Sequence, residues 1–168
     1  IISGGGVFYS DATDELSSFA TKHNIPVTQT VMGYSTMKKD HSHYLGAIGG
    51  LGGRAANNLS KETDMAIAIG TKLADFTTGS WANFENPDFK LVSINAGRFD
   101  ANKHMAQAIV GDAKVSLMEL SQVLGNWKAD DDWYKKSRIE LKNWESYVDK
   151  ESGCLLYTSD AADETGRV

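Results

Sequence analysis

Short runs of apolar residues alternate along this chain with stretches in which apolar positions recur at helical spacing. Each apolar run predicts a strand. The predicted strands lie at 1–3, 25–30, 64–70, 89–95 and 106–112. Helical spacing predicts one helix with its N-cap at Ser10 or Asp11 and its C-terminal turn at Asn24, and further helices at 54–61 and 113–124.

This alternation of strands and helices predicts the fold class. Strands that are apolar on both faces are typical of a parallel sheet covered by helices. Right-handed crossovers between such strands give an α/β fold with a Rossmann-like, doubly wound parallel sheet. We therefore predict one α/β domain over 1–125.

The pattern changes after Gly125, where a charged, amphipathic segment follows. We interpret 126–153 as a linker and helix that lead to a further domain, and the alternative is a helix that docks back on the sheet. The stretch "CLLYTSDAADE" at 154–164 resembles the conceptual translation of a sequencing adapter. We therefore predict that 154–168 is a non-native tail and exclude it from the fold.

Composition and charge narrow the class of protein. The 17 Lys and Arg residues stand against 22 Asp and Glu residues, a mildly acidic balance that argues against a nucleic-acid partner. No apolar run approaches the ~18–20 residues of a membrane span, so we expect no membrane partner. The single cysteine excludes an intrachain disulfide framework and favours a reduced, cytoplasmic location.

Polar and glycine-rich segments follow four of the predicted strands, at the edge where open α/β sheets bind ligands. The first is "GGGVFYS", whose Gly4, Gly5 and Gly6 suit an anion-binding turn or, as we favour, a tight strand-to-helix turn. It departs from the dinucleotide fingerprint because position 9 is Tyr. The second contains His41 and His43, but with no cysteine nearby we predict no metal site.

The third segment, "LADFTTGSW" at 73–81, follows a buried strand yet is rich in hydroxyls. Its Asp75, Thr77, Thr78 and Ser80 are able to hydrogen-bond a ribose or ring, or to fix a local turn. Phe76 and Trp81 either face a partner or fold back on the core. The residues show no nucleophile–base set and no Walker loop, so we predict no catalytic residue in the chain.

The stretches "GGGVFYS", "HSHYLGAIGGLGGRAAN", "DMAIAIGTKLADFTTGSW", "INAGRFDANKH" and "VGDAKVSLMEL" resemble, in order, the central domain of thiamine-diphosphate-dependent enzymes of the acetolactate-synthase type. "DFTTGSW" followed by "INAGRFDANKH" is more similar to the branch that hydrolyses a cyclic dione in inositol catabolism. The resemblance covers 1–124. It implies a longer protein, a homodimer or homotetramer, in which two other domains bind thiamine diphosphate and Mg²⁺.

The resemblance also implies where a flavin would lie, because some relatives hold FAD along the strand-end edge. The matching cofactor-binding positions are Gly4, Gly5, Gly33, Leu45, Gly46, Gly52, Gly70, Lys72 and Asp75. We expect no FAD here. Lys72 replaces an arginine and Asn95 replaces an acid, and an ammonium does not reproduce the planar fork of arginine. Tyr34 also stands where close relatives have lysine.

Three functions therefore stay open. The favoured one is the central domain of a thiamine-diphosphate acylhydrolase that adds water across a C–C bond of a cyclic dione and is inactive as this piece alone. The second is the central domain of a carboligase with bound FAD. The third is a non-catalytic nucleotide-binding module.

Overall fold

The computed structural model describes residues 1–152 and contains one six-stranded sheet in which every strand pair is parallel. The strand order is β3-β2-β1-β4-β5-β6. The strands are β1 (Ile2–Ser3), β2 (Val27–Gln29), β3 (Tyr44–Ala47), β4 (Met65–Ile69), β5 (Lys90–Asn95) and β6 (Gln107–Val110). This order confirms the predicted doubly wound α/β fold.

Helices connect the strands and cover both faces of the sheet. They are α1 (Gly5–Tyr9), α2 (Thr13–His23), α3 (Arg54–Glu62), α4 (Asp75–Thr78), α5 (Arg98–Ala101), α6 (Ala113–Leu124) and α7 (Asp131–Ser152), with 3₁₀ turns at Val31–Gly33 and Lys103–Met105. One core contains Leu16, Phe19 and Leu117, from α2 and α6. The second contains Leu45 and Leu59, from β3 and α3.

One local prediction needed correction, one strand needed addition, and one prediction is confirmed. The N-cap of α2 is Ala12 rather than Ser10 or Asp11, and no side chain caps it. The reason is that α1 already occupies the turn, so that Ser10 ends α1 and Asp11 takes a left-handed conformation with φ 50°. Strand β3 was missed because its glycine at position 46 made it look like a loop. The C-terminal turn at Asn24 is confirmed, with φ 56°.

The helix after Gly125 packs on the sheet. Trp133, Leu141 and Trp144 of α7 lie against the core that α3 covers. Arg138 donates a hydrogen bond to the carbonyl of Tyr44 on the edge strand β3. Within residues 1–152, α7 is therefore a helix that docks back on the sheet, which was the alternative interpretation of 126–153. That this segment leads to a further domain stays a prediction. The predicted adapter-like tail at 154–168 lies outside the described residues.

Candidate functional site

The carboxyl ends of β1 and β4 meet at the centre of the sheet, where the strand order reverses. Ligands of open α/β sheets bind at such a switch point. Here the gap is closed by backbone: the amide of Gly4 donates to Ile69 O at 2.8 Å and that of Gly6 donates to Gly70 O at 2.9 Å. Gly70 has φ 60°, and a Cβ on it would lie 2.5 Å from the Cα of Gly6. Two chain segments are thus in direct backbone contact.

Gly33 closes the same region from the side of β2. A Cβ on Gly33 would lie 2.2 Å from Ser3 O, so only hydrogen fits there. Its amide donates to the carbonyl and hydroxyl oxygens of Thr30 at 2.9 and 3.1 Å. The amides of Gly4, Gly6, Gly33 and Gly70 therefore all donate to protein oxygens. This geometry is that of tight turns, and cofactor binding by Gly4, Gly5, Gly33 and Gly70 stays a prediction.

Beneath these turns lies a small buried polar network. The hydroxyls of Ser3 and Thr36 are 2.5 Å apart, and Thr36 donates to Gly33 O at 2.8 Å. Gln29 donates through Nε2 to Met37 O at 2.9 Å. Buried hydrogen bonds of this kind hold a loop in one conformation, because breaking them leaves buried polar groups without a hydrogen-bond partner, which costs free energy. The network fixes the segment that follows β2.

The glycine-rich loop after β3 is tied to the loop after β4. Asn57 accepts a hydrogen bond from the amide of Gly49 at 2.9 Å and donates to its carbonyl at 3.1 Å. The amide of Gly50 donates to Phe76 O at 2.9 Å. Sequence reasoning missed Asn57, although an amide at the start of a helix after a glycine run is a signal for such a contact. Of the predicted glycines here, Gly46 has open space at its Cβ position, whereas a Cβ on Gly52 would lie 2.6 Å from Ala47 O.

The segment "LADFTTGSW" forms the short helix α4 and the turn after it. The hydroxyl of Thr78 accepts from the amide of Trp81 at 3.2 Å, so Thr78 fixes the turn. Trp81 folds back, with its ring stacked 4.4 Å from His104 and packed on the core. Phe76 stays 55% exposed. Trp81 therefore packs on the core, whereas Phe76 lies at the surface.

Lys72 and Asp75 are exposed beside this segment. Within residues 1–152, the Asp75 carboxylate makes no hydrogen bond that would fix the turn, so the turn-fixing role belongs to Thr78. Asn95 is bound to backbone: its Nδ2 donates to Thr71 O at 3.0 Å and its Oδ1 accepts from the amide of Gly97 at 2.8 Å. The structure thus places Lys72 and Asp75 at the carboxyl edge of β4 and leaves their binding role a prediction.

His43 has a structural role. It is buried, and its Nε2 lies 3.2 Å from Asn24 Oδ1 while its Nδ1 lies 2.9 Å from the Ser42 hydroxyl. Its ring packs at a tilt against Tyr134 of α7, with the ring centroids 4.6 Å apart. No group of three or more His, Cys, Asp or Glu side chains in the described part of the chain is arranged to hold a metal ion. Burial, with smaller contributions from His41 and Arg138, lowers the pKa of His43 from 6.5 to about 4.

This lowered pKa makes the stability of the fold depend on pH. The unfolded chain binds a proton on His43 near pH 6.5, whereas the folded chain binds it only near pH 4. Stability from this group is therefore complete above pH 6.5 and is lost as the pH falls toward 4. We expect a loss of ~1–2 kcal/mol, less than the full shift implies because water retains partial access. Urea unfolding from pH 7 to 4.5 should show a steeper decline for the wild type than for His43→Gln, and equal slopes would contradict the assignment.

The parallel sheet, the glycine turns at its switch point and the tied loops at the carboxyl edge define a Rossmann-like, doubly wound α/β domain. The family model described as "Thiamine pyrophosphate enzyme, central domain" matches residues 1–120, so the chain belongs to this family. Among its relatives is the 3D-(3,5/4)-trihydroxycyclohexane-1,2-dione hydrolase of Clostridium perfringens strain 13, which is 44% identical over 124 residues, 74% of this chain and 19% of the relative.

Two other relatives carry the same name. The protein from Clostridium botulinum strain Alaska E43 is 46% identical over 124 residues, again 74% of this chain and 19% of the relative. The one from Clostridium tetani is 37% identical over 150 residues, 89% of this chain and 23% of the relative. The chain thus spans about a fifth of the length of the relatives it matches. No helix within residues 1–152 is long and apolar enough to cross a membrane.

Proposed function

We propose that this chain is the central part of a longer thiamine-diphosphate-dependent enzyme that hydrolyses a C–C bond of 3D-(3,5/4)-trihydroxycyclohexane-1,2-dione. The observation that carries the proposal is the 44–46% identity over 124 residues to hydrolases of that name. The carboligase alternative is not favoured by these relatives. We further propose that the complete protein is a cytoplasmic homodimer or homotetramer.

Residues 1–152 do not build a site for thiamine diphosphate with Mg²⁺. The described residues offer no group of three acidic, histidine or cysteine side chains for the metal. The amides of Gly4, Gly6 and Gly70, which would cradle a phosphate at the switch point, already donate to backbone carbonyls. We therefore assign thiamine diphosphate and Mg²⁺ to other parts of the longer protein and attribute no chemical step to this chain.

The role proposed for this chain is to position other parts of the enzyme. Large apolar side chains remain exposed on the segments that follow the strands, among them Tyr9, Met32 and Phe76. We propose that these side chains contact other parts of the longer enzyme. The loops that carry Met32 and Phe76 are held by the Thr36 network and by the Gly50 amide, so the surface is preorganised.

A domain exchange tests the proposal. Residues 1–124 would replace the matching segment of the Clostridium perfringens relative, and hydrolysis of the dione would be followed together with oligomeric state. We expect an assembled chimera that hydrolyses the dione. A matched control carries the equivalent segment of a carboligase. A chimera that folds and binds thiamine diphosphate but leaves the dione intact would overturn the proposal.

The chain alone should bind neither thiamine diphosphate nor FAD tightly. Titration calorimetry with thiamine diphosphate and Mg²⁺ should show no saturable heat in the micromolar range, because residues 1–152 offer no metal-binding cluster and the switch-point amides already donate to backbone carbonyls. Purified protein should be colourless. A yellow preparation that releases one FAD per chain would favour the carboligase and would return Lys72 and Asp75 to a cofactor role.

Asp75→Ala should leave the stability of the chain nearly unchanged but impair the complete enzyme. The carboxylate is exposed and does not cap α4, so its removal should change the free energy of unfolding by less than ~1 kcal/mol. In the chimera the same variant should lower activity or assembly if this edge contacts other parts of the enzyme. Asp88→Ala, at another exposed aspartate, is the matched control. Unfolding of the chain by Asp75→Ala with full activity in the chimera would show that the residue is structural.

A further inference from the structure

A cleft of about 200 Å³ opens between the segment after β2 and the beginning of β3. We name it the β2–β3 cleft; it is lined by Gln29, Tyr34, Ser35, Met37, Lys38, Lys39 and Tyr44. It lies beside the edge strand, apart from the switch point between β1 and β4.

Positive charge gathers at this cleft. Lys38 and Lys39 both line it and both are exposed. Neither ammonium lies within 4.0 Å of a carboxylate in residues 1–152, although five other lysines do form such pairs: Lys61, Lys103, Lys114, Lys135 and Lys136. In a chain with formal net charge −5, two adjacent cations at one concave surface form a local attractor for anions.

The other lining groups complement an oxyanion. Tyr34 and Tyr44 supply aromatic walls and hydroxyl donors, and Ser35 supplies a third hydroxyl. Burial, with smaller contributions from Tyr34 and Glu145, raises the pKa of Tyr44, which keeps its hydroxyl protonated as a donor. Glu145 of α7 is the acidic group that contributes to this shift. It therefore opposes the two lysines and limits the expected affinity.

The lining is held in place by buried contacts. Thr36 is fully buried and hydrogen-bonded to Ser3 and Gly33, and Gln29 holds Met37 O. Ser35 is kept in a left-handed conformation with φ 73°. Serine occupies this region at a cost, and such strain persists where the surroundings enforce it. The cleft is thus a preformed feature of the fold.

We propose that the β2–β3 cleft binds a compact oxyanion, a phosphate or carboxylate group on a small polar molecule, through Lys38, Lys39 and the two tyrosine hydroxyls. The cleft volume limits the ligand to a few carbon atoms beyond the anionic group. Charge-assisted hydrogen bonds from the ammonium groups supply most of the attraction. This proposal is independent of the proposed function, because it needs neither the longer protein nor its reaction.

The test is an amide NMR titration of the whole chain at constant ionic strength. Inorganic phosphate and acetate are titrated separately, which distinguishes the two anionic groups. We expect saturable shifts at the amides of Ser35, Lys38 and Lys39 with at least one of the anions. The double variant Lys38→Gln/Lys39→Gln should weaken binding at least tenfold. The charge-retaining Lys38→Arg/Lys39→Arg variant should keep it within about threefold.

A matched control removes the same charge elsewhere. Lys90→Gln/Lys128→Gln neutralises two exposed lysines that do not line the cleft, and it should change the affinity less than twofold. Shifts that do not saturate, that spread evenly over all lysines, or that fall equally in the control and in the cleft variant would overturn the proposal. Retained dispersion of the amide spectrum verifies that each variant is folded.

Discussion

Removal of α7 should strongly destabilise the chain. A truncation after Asp130 deletes Trp133, Leu141 and Trp144, which pack on the core beneath α3. A buried large apolar side chain contributes roughly 1.5–3 kcal/mol, so three partly buried ones contribute about 5 kcal/mol together. Domains are stable by only ~5–15 kcal/mol, so this loss is a large share of the total. Thermal unfolding of 1–130 and 1–152 should differ by about 10–20 °C.

The comparison of 1–130 with 1–152 isolates α7, because both lack the residues after Ser152. The smaller variant Trp144→Ala should show part of the loss, since Trp144 lies directly on Gly53, where a Cβ would be 2.7 Å from its Nε1. Ile139→Ala, on the same helix but 59% exposed, is the matched control and should change stability little. Equal melting temperatures for 1–130 and 1–152 would mean that α7 is only a linker, as the sequence first suggested.

Gly70→Ala should be strongly destabilising. A methyl group at this position would lie 2.5 Å from the Cα of Gly6 and 2.8 Å from the amide of Val7, and the residue has φ 60°. Backbone on both sides cannot move without breaking the Gly6–Gly70 hydrogen bond. Overpacking costs about 1–3 kcal/mol and a left-handed conformation adds ~1 kcal/mol, so we expect a loss of ~3 kcal/mol or more.

Urea unfolding measures this loss. Gly97→Ala is the control, because its added methyl group meets only side-chain oxygens at 3.4 Å and beyond. It should change the free energy of unfolding by less than ~0.5 kcal/mol, the usual range for exposed positions. A Gly70→Ala protein as stable as Gly97→Ala would show that the two segments at the switch point separate easily. Space for a ligand between β1 and β4 would then be available.

The sheet and the helices at 54–61 and 113–124 were predictable because their apolar positions repeat with a clear period. Strand β3 was not, since Gly46 with φ 97° interrupts the apolar run and the strand is recognised only by its pairing with β2. The docking of α7 was also not predictable from the pattern of apolar and polar residues. Its contacts join residues far apart in the chain, such as Arg138 with Tyr44, and no local period records them.

The position of the candidate residues at the carboxyl edge of the sheet was predictable, but their hydrogen bonds were not. Glycines and hydroxyls after apolar runs indicated the carboxyl edge correctly. Which polar groups are already used inside the protein depends on the fold: Asn57 binds Gly49, Asn95 binds Thr71, and Thr78 rather than Asp75 fixes its turn. A hydrogen-bonding residue seen in a sequence is equally able to serve a ligand or its own backbone, and only the coordinates separate the two.

The central position of β1 has a consequence for how the chain acquires its structure. This two-residue strand is first in sequence, yet Ile2 pairs with Thr28 on one side and with Ala68 on the other. During synthesis it must wait for β4 to emerge before the middle of the sheet is complete. Pairing across such a separation closes a long loop and slows folding. Of the six strands of this sheet, β1 is thus synthesised first, yet it gains its second neighbour only after β2, β3 and α3 have been made, and a chaperone that shields its exposed edge would act at that stage.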